Sequence, residues 1–138
     1  MIARSLLALA LLASTSISAA PAADAITGVW HGTSKCTAVR PACRDEIAVD
    51  HIAATAEADV VAMTMNKVVD GQEVPMGGTL PFHVDYSTRT LTYDLVARDG
   101  THVLFQFTWK GEAMSGVVLE LPSRKVIRNI ELKKGDWR

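Results

Sequence analysis

The sequence predicts an all-β protein, an eight-stranded antiparallel up-and-down barrel that follows an N-terminal signal peptide. Three observations support this prediction. Apolar and polar residues alternate with a period of two along short segments. Tight-turn dipeptides separate these segments, and the chain after the leader shows no segment with the period of an amphipathic helix. A two-sheet sandwich would fit the same alternation, but closure into a barrel also removes exposed strand edges.

The N-terminal segment has the layout of a secretory signal peptide, which we expect over residues 1–22. Arg4 provides a positive charge, and residues 6–13 form an apolar run that is too short to cross a bilayer. A stretch rich in Ser, Ala and Pro follows this run. Small residues favour cleavage after Ala22 or, alternatively, after Ala25.

The remainder of the chain, residues 26–138, is expected to form a single barrel domain that is secreted or located in the periplasm. The whole chain has 14 Lys and Arg against 15 Asp and Glu, a net charge of -1. This balance does not favour nucleic acid or a membrane surface as a partner, because both attract strongly basic proteins. No segment after the leader is long and apolar enough to predict a membrane span.

The two cysteines of the chain, Cys36 and Cys43, enclose a short loop that contains Pro41. In an oxidising compartment such a pair predicts one disulfide bond. Closing a loop of this size stabilises a domain by about 2–3 kcal/mol in the chain-entropy treatment. The alternative is a metal site completed by His31 or His51. Two thiols without a second Cys/His pair lack the spacing of a zinc site, so no metal is expected.

The strand after the disulfide loop is expected within residues 45–55. Its alternation places Ile47 and Val49 on the apolar side, and His51 falls in the same phase. A histidine on an apolar face is usually a hydrogen-bonded core residue, and a ligand role is the alternative. Arg44, Asp45 and Glu46 form a charged cluster near one rim of the barrel, either as a solvated loop end or as part of a binding mouth.

Asp70-Gly71 predicts a two-residue turn between two strands. Pairing Val69 with Gln72 makes the apolar faces of both strands agree, whereas a slip by one residue would reverse one strand. This register predicts the following neighbours: Met65 opposite Met76, and Val61 opposite Leu80. Gly77-Gly78 lies within the second strand, where a bend or a close backbone approach is expected.

The next hairpin is predicted with Tyr86 opposite Leu91. This register aligns three further pairs: Val84 with Tyr93, Phe82 with Leu95, and His83 with Asp94 on the outer face. His83, Asp85 and Asp94 would then share an outer patch with the residue types that ligate metals. A solvated cross-strand His–Asp pair is the simpler interpretation.

The final strands follow two more turns, at Asp99-Gly100 and at residues 110–112. The strand between these turns continues the apolar face with Val103, Phe105, Phe107 and Trp109. Residues 113–121 have apolar side chains in both phases, so their orientation is left open. The last strand, residues 125–133, alternates regularly and carries basic residues that protect a solvated face.

The first strand carries Thr27-Gly28-Val29-Trp30, and the last strand has Arg128 on its apolar side. This combination resembles the calycin superfamily of small barrels, which includes lipocalins, avidins and bacterial secreted metalloprotease inhibitors. The resemblance implies that Trp30 plugs the closed end and that Arg128 packs across its ring. Both would then be structural residues. The chain is shorter than a lipocalin, and its two cysteines are closer together than those of the inhibitors.

No catalytic motif is present in the sequence, which lacks Gly-x-Ser-x-Gly, His-Glu-x-x-His, Cys-x-x-Cys and a phosphate-binding loop. We therefore expect neither an enzyme nor a cofactor. The predicted interior is rich in methionine and aromatic residues, which either fill a small barrel or line an apolar pocket. The candidate ligand contacts are Met63, Met65, Phe82, Tyr93, Phe105 and Phe107.

The expected function is that of an exported, non-enzymatic barrel that binds a small apolar molecule. One alternative is a protein-interaction module, such as an inhibitor of exported proteases, whose partner would be an exported protein. A fully packed structural barrel is the other alternative. An internal void large enough for a ligand would separate the first function from the others.

Overall fold

The computed structural model describes residues 22–138, which form a closed barrel of eight antiparallel strands joined in sequence order. The strands are β1 (Gly28–Cys36), β2 (Glu46–Ala54), β3 (Val60–Val69), β4 (Gln72–Asp85), β5 (Thr90–Val96), β6 (His102–Lys110), β7 (Ala113–Glu120) and β8 (Lys125–Lys134). A short 3₁₀ helix, Ala22–Ala25, precedes β1. The predicted barrel is confirmed, and the predicted signal peptide lies outside the described residues apart from Ala22.

One end of the barrel is closed by Trp30, and we refer to it as the closed end. The Trp30 side chain is fully buried, and its indole Nε1 donates a hydrogen bond to the carbonyl oxygen of Ile26, 2.8 Å away. Ile26 is itself fully buried. The opposite, open end carries the loop between β1 and β2, which is closed by the predicted Cys36–Cys43 disulfide. None of the helices among residues 22–138 is long and apolar enough to cross a bilayer.

The basic residue that packs on Trp30 is Lys134, so the predicted pairing with Arg128 is wrong. The Lys134 Nζ lies 5.8 Å from the centroid of the Trp30 ring, and Lys134 is the register partner of Trp30 between β1 and β8. Arg128 is instead the partner of Cys36, at the open end of the same strand. The side chains of both basic residues point into the barrel, and the register between β1 and β8 decides which one contacts Trp30.

Lys134→Ala is expected to lower the free energy of unfolding by about 0.5–2 kcal/mol, the range of a cation–π contact. The Lys134 Nζ also donates hydrogen bonds to the carbonyl oxygens of Asp24 and Ala25, at 3.2 and 3.1 Å. The variant therefore loosens the segment that covers the closed end. Urea denaturation would measure the change, with Lys133→Ala on the exposed side of β8 as the matched control. Equal stabilities of the two variants would contradict this role of Lys134.

The inward face of β2 is the opposite of the predicted one. Ala48, Asp50 and Ile52 are buried in the barrel, whereas Ile47 points outward and is 51% exposed. Val49 is buried on the outer face. The C-terminal segment crosses this face, because His31 on β1 donates a hydrogen bond to the carbonyl of Gly135, and Trp137 donates one to Glu73 on β4.

His51 lies on the outer face of β2 and hydrogen-bonds the Glu73 carboxylate. It is therefore a hydrogen-bonded residue, as predicted, but it lies outside the core. Asn66 Nδ2 donates to the same carboxylate at 2.7 Å, and Trp137 Nε1 donates at 3.3 Å. Partial burial raises the pKa of Glu73, but these hydrogen bonds outweigh that effect and lower its pKa overall. Glu73 thus joins three elements and the C-terminal segment on the outside of the barrel.

The register between β3 and β4 changes partway along the strands. Val69 pairs with Gln72 as predicted, but beyond an irregularity between Thr64 and Asn66 the partner of Val61 is Phe82 instead of Leu80. The extra residues are accommodated in β4 around Gly77 and Gly78, whose φ angles are 146° and 94°. Positive φ values are readily adopted by glycine. The offset is two residues, so the predicted inward face is retained.

The register between β4 and β5 also differs by two residues from the prediction. Val84 pairs with Leu91, and His83 pairs with Thr92, so the predicted neighbours His83 and Asp94 are not opposite each other. Asp85 fixes the turn by accepting hydrogen bonds from the backbone N–H groups of Ser87 and Thr88. Such side-chain turns end the preceding strand earlier than the apolar pattern suggests.

Candidate functional site

A cavity of about 390 Å³ occupies the open half of the barrel. All eight strands contribute to its wall, which is predominantly apolar. Representative wall residues are Ala48, Met65, Leu80, Leu95, Phe105 and Val118. The orientation of β7, which the sequence left open, places Met114 and Val118 inside.

The closed half of the barrel is filled by aromatic side chains and forms a floor for this cavity. Phe82 and Phe107 are fully buried, with ring centroids 5.9 Å apart, and Tyr93 packs on Phe82 at 5.4 Å. Tyr86 and Trp109 form an edge-to-face pair at 6.1 Å. Aromatic pairs in these geometries contribute about 0.5–1.5 kcal/mol beyond their area burial, so they stabilise the packed half.

Of the six predicted ligand contacts, Met65 and Phe105 line the cavity. Met63, Phe82 and Phe107 are fully buried in the packed half, and Tyr93 is partly buried against Phe82. Strand alternation identifies which side chains point inward, but it contains no information about their depth along the barrel axis. Depth depends on the register with neighbouring strands.

The cavity also reaches the side of the barrel between β4 and β5. These two strands are paired at three positions only, His83–Asp85 with Thr90–Thr92, and they separate toward the open end. Gly78 and Leu80 line the cavity from one side of this opening, and Leu95 lines it from the other. Met76, at the same opening, is 41% exposed. Mainly apolar residues therefore border the cavity where β4 and β5 are not paired.

The mouth of the cavity carries three ion pairs among residues 22–138, and two of them share Glu46. Lys67, opposite the inward residue Ala48, has its Nζ 3.9 Å from a Glu46 carboxylate oxygen. Arg128 lies 3.6 Å from a Glu46 carboxylate oxygen, and its Nη1 donates to the Ser34 hydroxyl at 2.9 Å. Arg40, in the disulfide-closed loop, pairs with Glu120 at 3.2 Å. Each of these three cations therefore has a carboxylate partner, and Arg128 and Lys67 share the one of Glu46.

The predicted charged cluster of Arg44, Asp45 and Glu46 lies at this mouth, and each of the three residues makes a different contact. Glu46 points into the cavity, as the binding-mouth interpretation requires. The Arg44 backbone carbonyl accepts a hydrogen bond from Arg128 Nη2 at 2.9 Å, and the Asp45 carboxylate accepts one from the backbone N–H of Cys36 at 2.8 Å. The cluster thus anchors the disulfide loop to the barrel.

Asp50 is the one inward-facing residue of the deeper cavity wall that carries an ionisable group, among residues 22–138. It lies midway along β2, opposite Trp30 on β1 and Met65 on β3, and is 2% exposed. Its carboxylate has no hydrogen-bond partner within the described part of the chain. Burial raises the pKa of Asp50 from its ordinary value of 3.8 to about 7.

Asp50 is separated from the charges at the mouth. Glu46 precedes it by four residues on the same inward face of β2, with Ala48 between them. At a rise of about 3.3 Å per residue, the backbone positions of the two residues are about 13 Å apart along the strand. Arg128 contacts Glu46 and is therefore also at the mouth. The Asp50 carboxylate stands alone in the apolar part of the cavity.

Sequence reasoning missed Asp50 because it assigned the apolar face of β2 to Ile47 and Val49. Ala48, Asp50 and Ile52 offer a weaker apolar pattern, since an acid interrupts it. The pairing with β1 could have revealed Asp50. Directly opposed residues on paired strands point to the same side of the sheet, so the partner of the buried Trp30 also points into the barrel.

The predicted outer patch of His83, Asp85 and Asp94 is not assembled. His83 Nδ1 lies 3.6 Å from Asp59 Oδ2, while Asp94 hydrogen-bonds His102. Solvated His–Asp pairs are therefore present, as the simpler interpretation predicted, but the pairs are His83 with Asp59 and His102 with Asp94. No group of three or more His, Cys, Asp or Glu residues is placed to hold a metal ion within residues 22–138.

The chain matches no protein-family model, and a search of curated proteins finds no match. Closed eight-stranded barrels serve many unrelated functions, so the fold alone does not define one. The function is therefore inferred from the cavity and from the residues that line it.

Proposed function

We propose that the protein is an exported, non-enzymatic barrel of calycin-like design that binds a small, mainly apolar molecule in the cavity of its open half. The observation that carries this proposal is the cavity itself, about 390 Å³ with a predominantly apolar wall. A barrel of this size can be filled completely by its own side chains, so an unfilled half is consistent with a binding role.

The size of the cavity suits a small organic molecule. Ligand pockets commonly range from about 300 to 1,000 Å³, and an engineered cavity of about 150 Å³ accepts benzene. The wall combines Met65 and Met76, whose flexible side chains adapt to different shapes, with Phe105.

Export is supported by the predicted leader and by the Cys36–Cys43 disulfide, which persists in oxidising compartments. Of the two predicted cleavage points, that after Ala22 fits better. Lys134 hydrogen-bonds the carbonyl oxygens of Asp24 and Ala25, and cleavage after Ala25 would remove both acceptors.

The proposed binding is tested by filling the cavity. Ala48 lines it and is buried, so Ala48→Phe adds a ring to the space that a ligand would use. We expect wild-type protein to enhance the fluorescence of the apolar probe N-phenylnaphthylamine, and the variant to weaken its binding by about tenfold or more. Ala53→Phe, on the exposed outer side of β2, is the matched control.

Native mass spectrometry of protein purified gently from its own source provides the second measurement. An added mass that is lost on unfolding would support the proposal. A clean unliganded mass, together with probe binding that is absent or insensitive to Ala48→Phe, would contradict it.

A protein-interaction module is the second candidate, and one observation favours it. Within residues 22–138, the segment of β4 from Gln72 to Phe82 has no paired strand on its β5 side, which leaves backbone groups for pairing. A strand of another exported protein could pair with this segment. This candidate would lead if the cavity bound neither the probe nor a native ligand.

A further inference from the structure

We infer that the ligand of this cavity is an organic amine, with an apolar body that fills the open half of the barrel and a protonated amino group that reaches the Asp50 carboxylate. This inference rests on the proposed function and specifies the ligand class. It assigns to Asp50 the role of selecting the ligand, and to the apolar wall the role of holding its body.

The first support is the position of the carboxylate. Asp50 lines the cavity, is 2% exposed and has no hydrogen-bond partner among residues 22–138. Leaving a buried polar group without a partner is costly, and a buried charge costs more than a neutral group. A donor supplied by a ligand would relieve this cost. Neighbouring Trp30 cannot supply it, because its indole N–H already bonds the carbonyl of Ile26.

The second support is the distribution of charge around the cavity. The charged groups of the wall are Arg40, Glu46, Arg128 and Asp50. Arg128 and Lys67 both contact Glu46, and Arg40 contacts Glu120, so these cations already have carboxylate partners at the mouth. Lys134 lies against the Trp30 ring and bonds two backbone carbonyls at the closed end. Among residues 22–138, Asp50 is thus the charged group of the cavity wall that has no partner, and a cationic ligand would provide one.

This arrangement also disfavours other ligand classes. An anionic ligand would bring a second negative charge toward Asp50 in an apolar environment, where repulsion is weakly screened. A hydrocarbon would fill the wall but would leave the carboxylate without a partner. A protonated amine provides both a donor and the opposite charge, and such charge-assisted hydrogen bonds are roughly twice as strong as neutral ones.

The test compares probes that share one apolar body and differ in one group. Naphthylmethylamine, naphthylmethanol, ethylnaphthalene and naphthoate are titrated into wild-type protein by calorimetry at pH 8. We expect the amine to bind at least about tenfold more tightly than the alcohol or the hydrocarbon, given the strength of hydrogen bonds to charged groups. The carboxylate is expected to bind most weakly.

Asp50→Asn removes the charge and retains the shape. In this variant the amine is expected to lose its advantage over the alcohol. Ethylnaphthalene should still bind, and at least as tightly as to the wild type, because the charged carboxylate that it leaves without a partner is gone. Asp94→Asn removes one negative charge from the exposed outer face, and it should retain the preference for the amine. A preference that is lost equally in both variants would indicate a general charge effect and would overturn the inference.

The pH dependence of amine affinity is a further measurement, and it would not change if Asp50 had only a structural role. Burial raises the pKa of Asp50 to about 7, so its charged form declines below that pH. Amine affinity should therefore fall by up to about tenfold per pH unit below pH 7 in wild-type protein, and should be flat in Asp50→Asn. The other charged wall groups, Arg40, Glu46 and Arg128, are present in both proteins.

The outcomes separate the two proposals. If none of the probes binds, the proposed binding function fails and this inference fails with it. If ethylnaphthalene binds as tightly as the amine in wild-type protein, the cavity is a binding site, but Asp50 does not select an amine. That second result would overturn the inference alone.

Discussion

Asp50→Asn is expected to stabilise the protein increasingly as the pH rises from 4 to 8, relative to the wild type. The pKa of Asp50 is about 7 in the folded protein, against an ordinary value of 3.8. When the pKa of an acid is higher in the folded than in the unfolded state, the protein loses stability as the pH rises above the unfolded-state pKa. The loss is complete once the pH exceeds the folded-state pKa. The full loss is about 4 kcal/mol. The amide cannot ionise, so the variant lacks this loss.

The measurement is the free energy of unfolding by urea at several pH values for both proteins. The difference between them isolates Asp50, because every other titrating group is shared. Asp94→Asn is the control, since it removes a carboxylate that is exposed on the outer face. Parallel profiles for wild type and Asp50→Asn would show that the Asp50 carboxylate is hydrated or partnered in solution. A penalty of this size is a large fraction of the stability of a small domain, which favours a functional reason for keeping the acid.

Gly32→Ala is expected to lower the free energy of unfolding by about 3 kcal/mol or more, at or above the upper end of the range for overpacked sites. Gly32 lies on β1 opposite Leu132 of β8, where the two strands close the barrel. A Cβ atom at this position would lie 1.9 Å from the backbone oxygen of Glu131. That oxygen belongs to a paired strand, so relief requires β1 and β8 to separate.

Thr33→Ala is the matched control for this variant, because it also introduces alanine in β1 and its side chain is exposed. Thermal and urea unfolding should show a large loss for Gly32→Ala and a small change for Thr33→Ala. Amide hydrogen exchange provides the specific readout, since protection should decline first in the paired segments of β1 and β8. A stability of Gly32→Ala equal to that of the control would contradict the close approach of the two strands.

Apart from the inward face of β2, the predictions that failed have one cause, the register between strands. The sequence placed Met65 and Phe105 inward and at the cavity, and both line it. It also placed Phe82 and Phe107 inward, but these belong to the packed half. An offset of two residues preserves the face of every side chain, so the apolar pattern cannot detect it.

The register also explains why the sequence pointed to Arg128 as the residue that packs on Trp30, whereas the structure has Lys134 there. Both are basic residues on the inward phase of β8, separated by six positions, or about 20 Å along the strand. The alternation of apolar and polar residues predicts only that both side chains point inward, and it does not distinguish their positions along the barrel axis. The pairing of Trp30 with Lys134 is decided by where β1 and β8 meet, and this depends on the closure of the whole barrel.

The tryptophan of the closed end was expected from the resemblance to the calycin barrels. By itself, the sequence determined the class of fold, the inward faces of most strands and the disulfide. These features follow from local patterns: side-chain alternation, turn dipeptides and a pair of cysteines within a short loop. Only the tertiary structure decided the inward face of β2, the depth of each side chain and hence the isolation of Asp50 in the cavity. A buried acid breaks the apolar alternation that would reveal it, and its partners come from strands that are brought together only when the barrel closes.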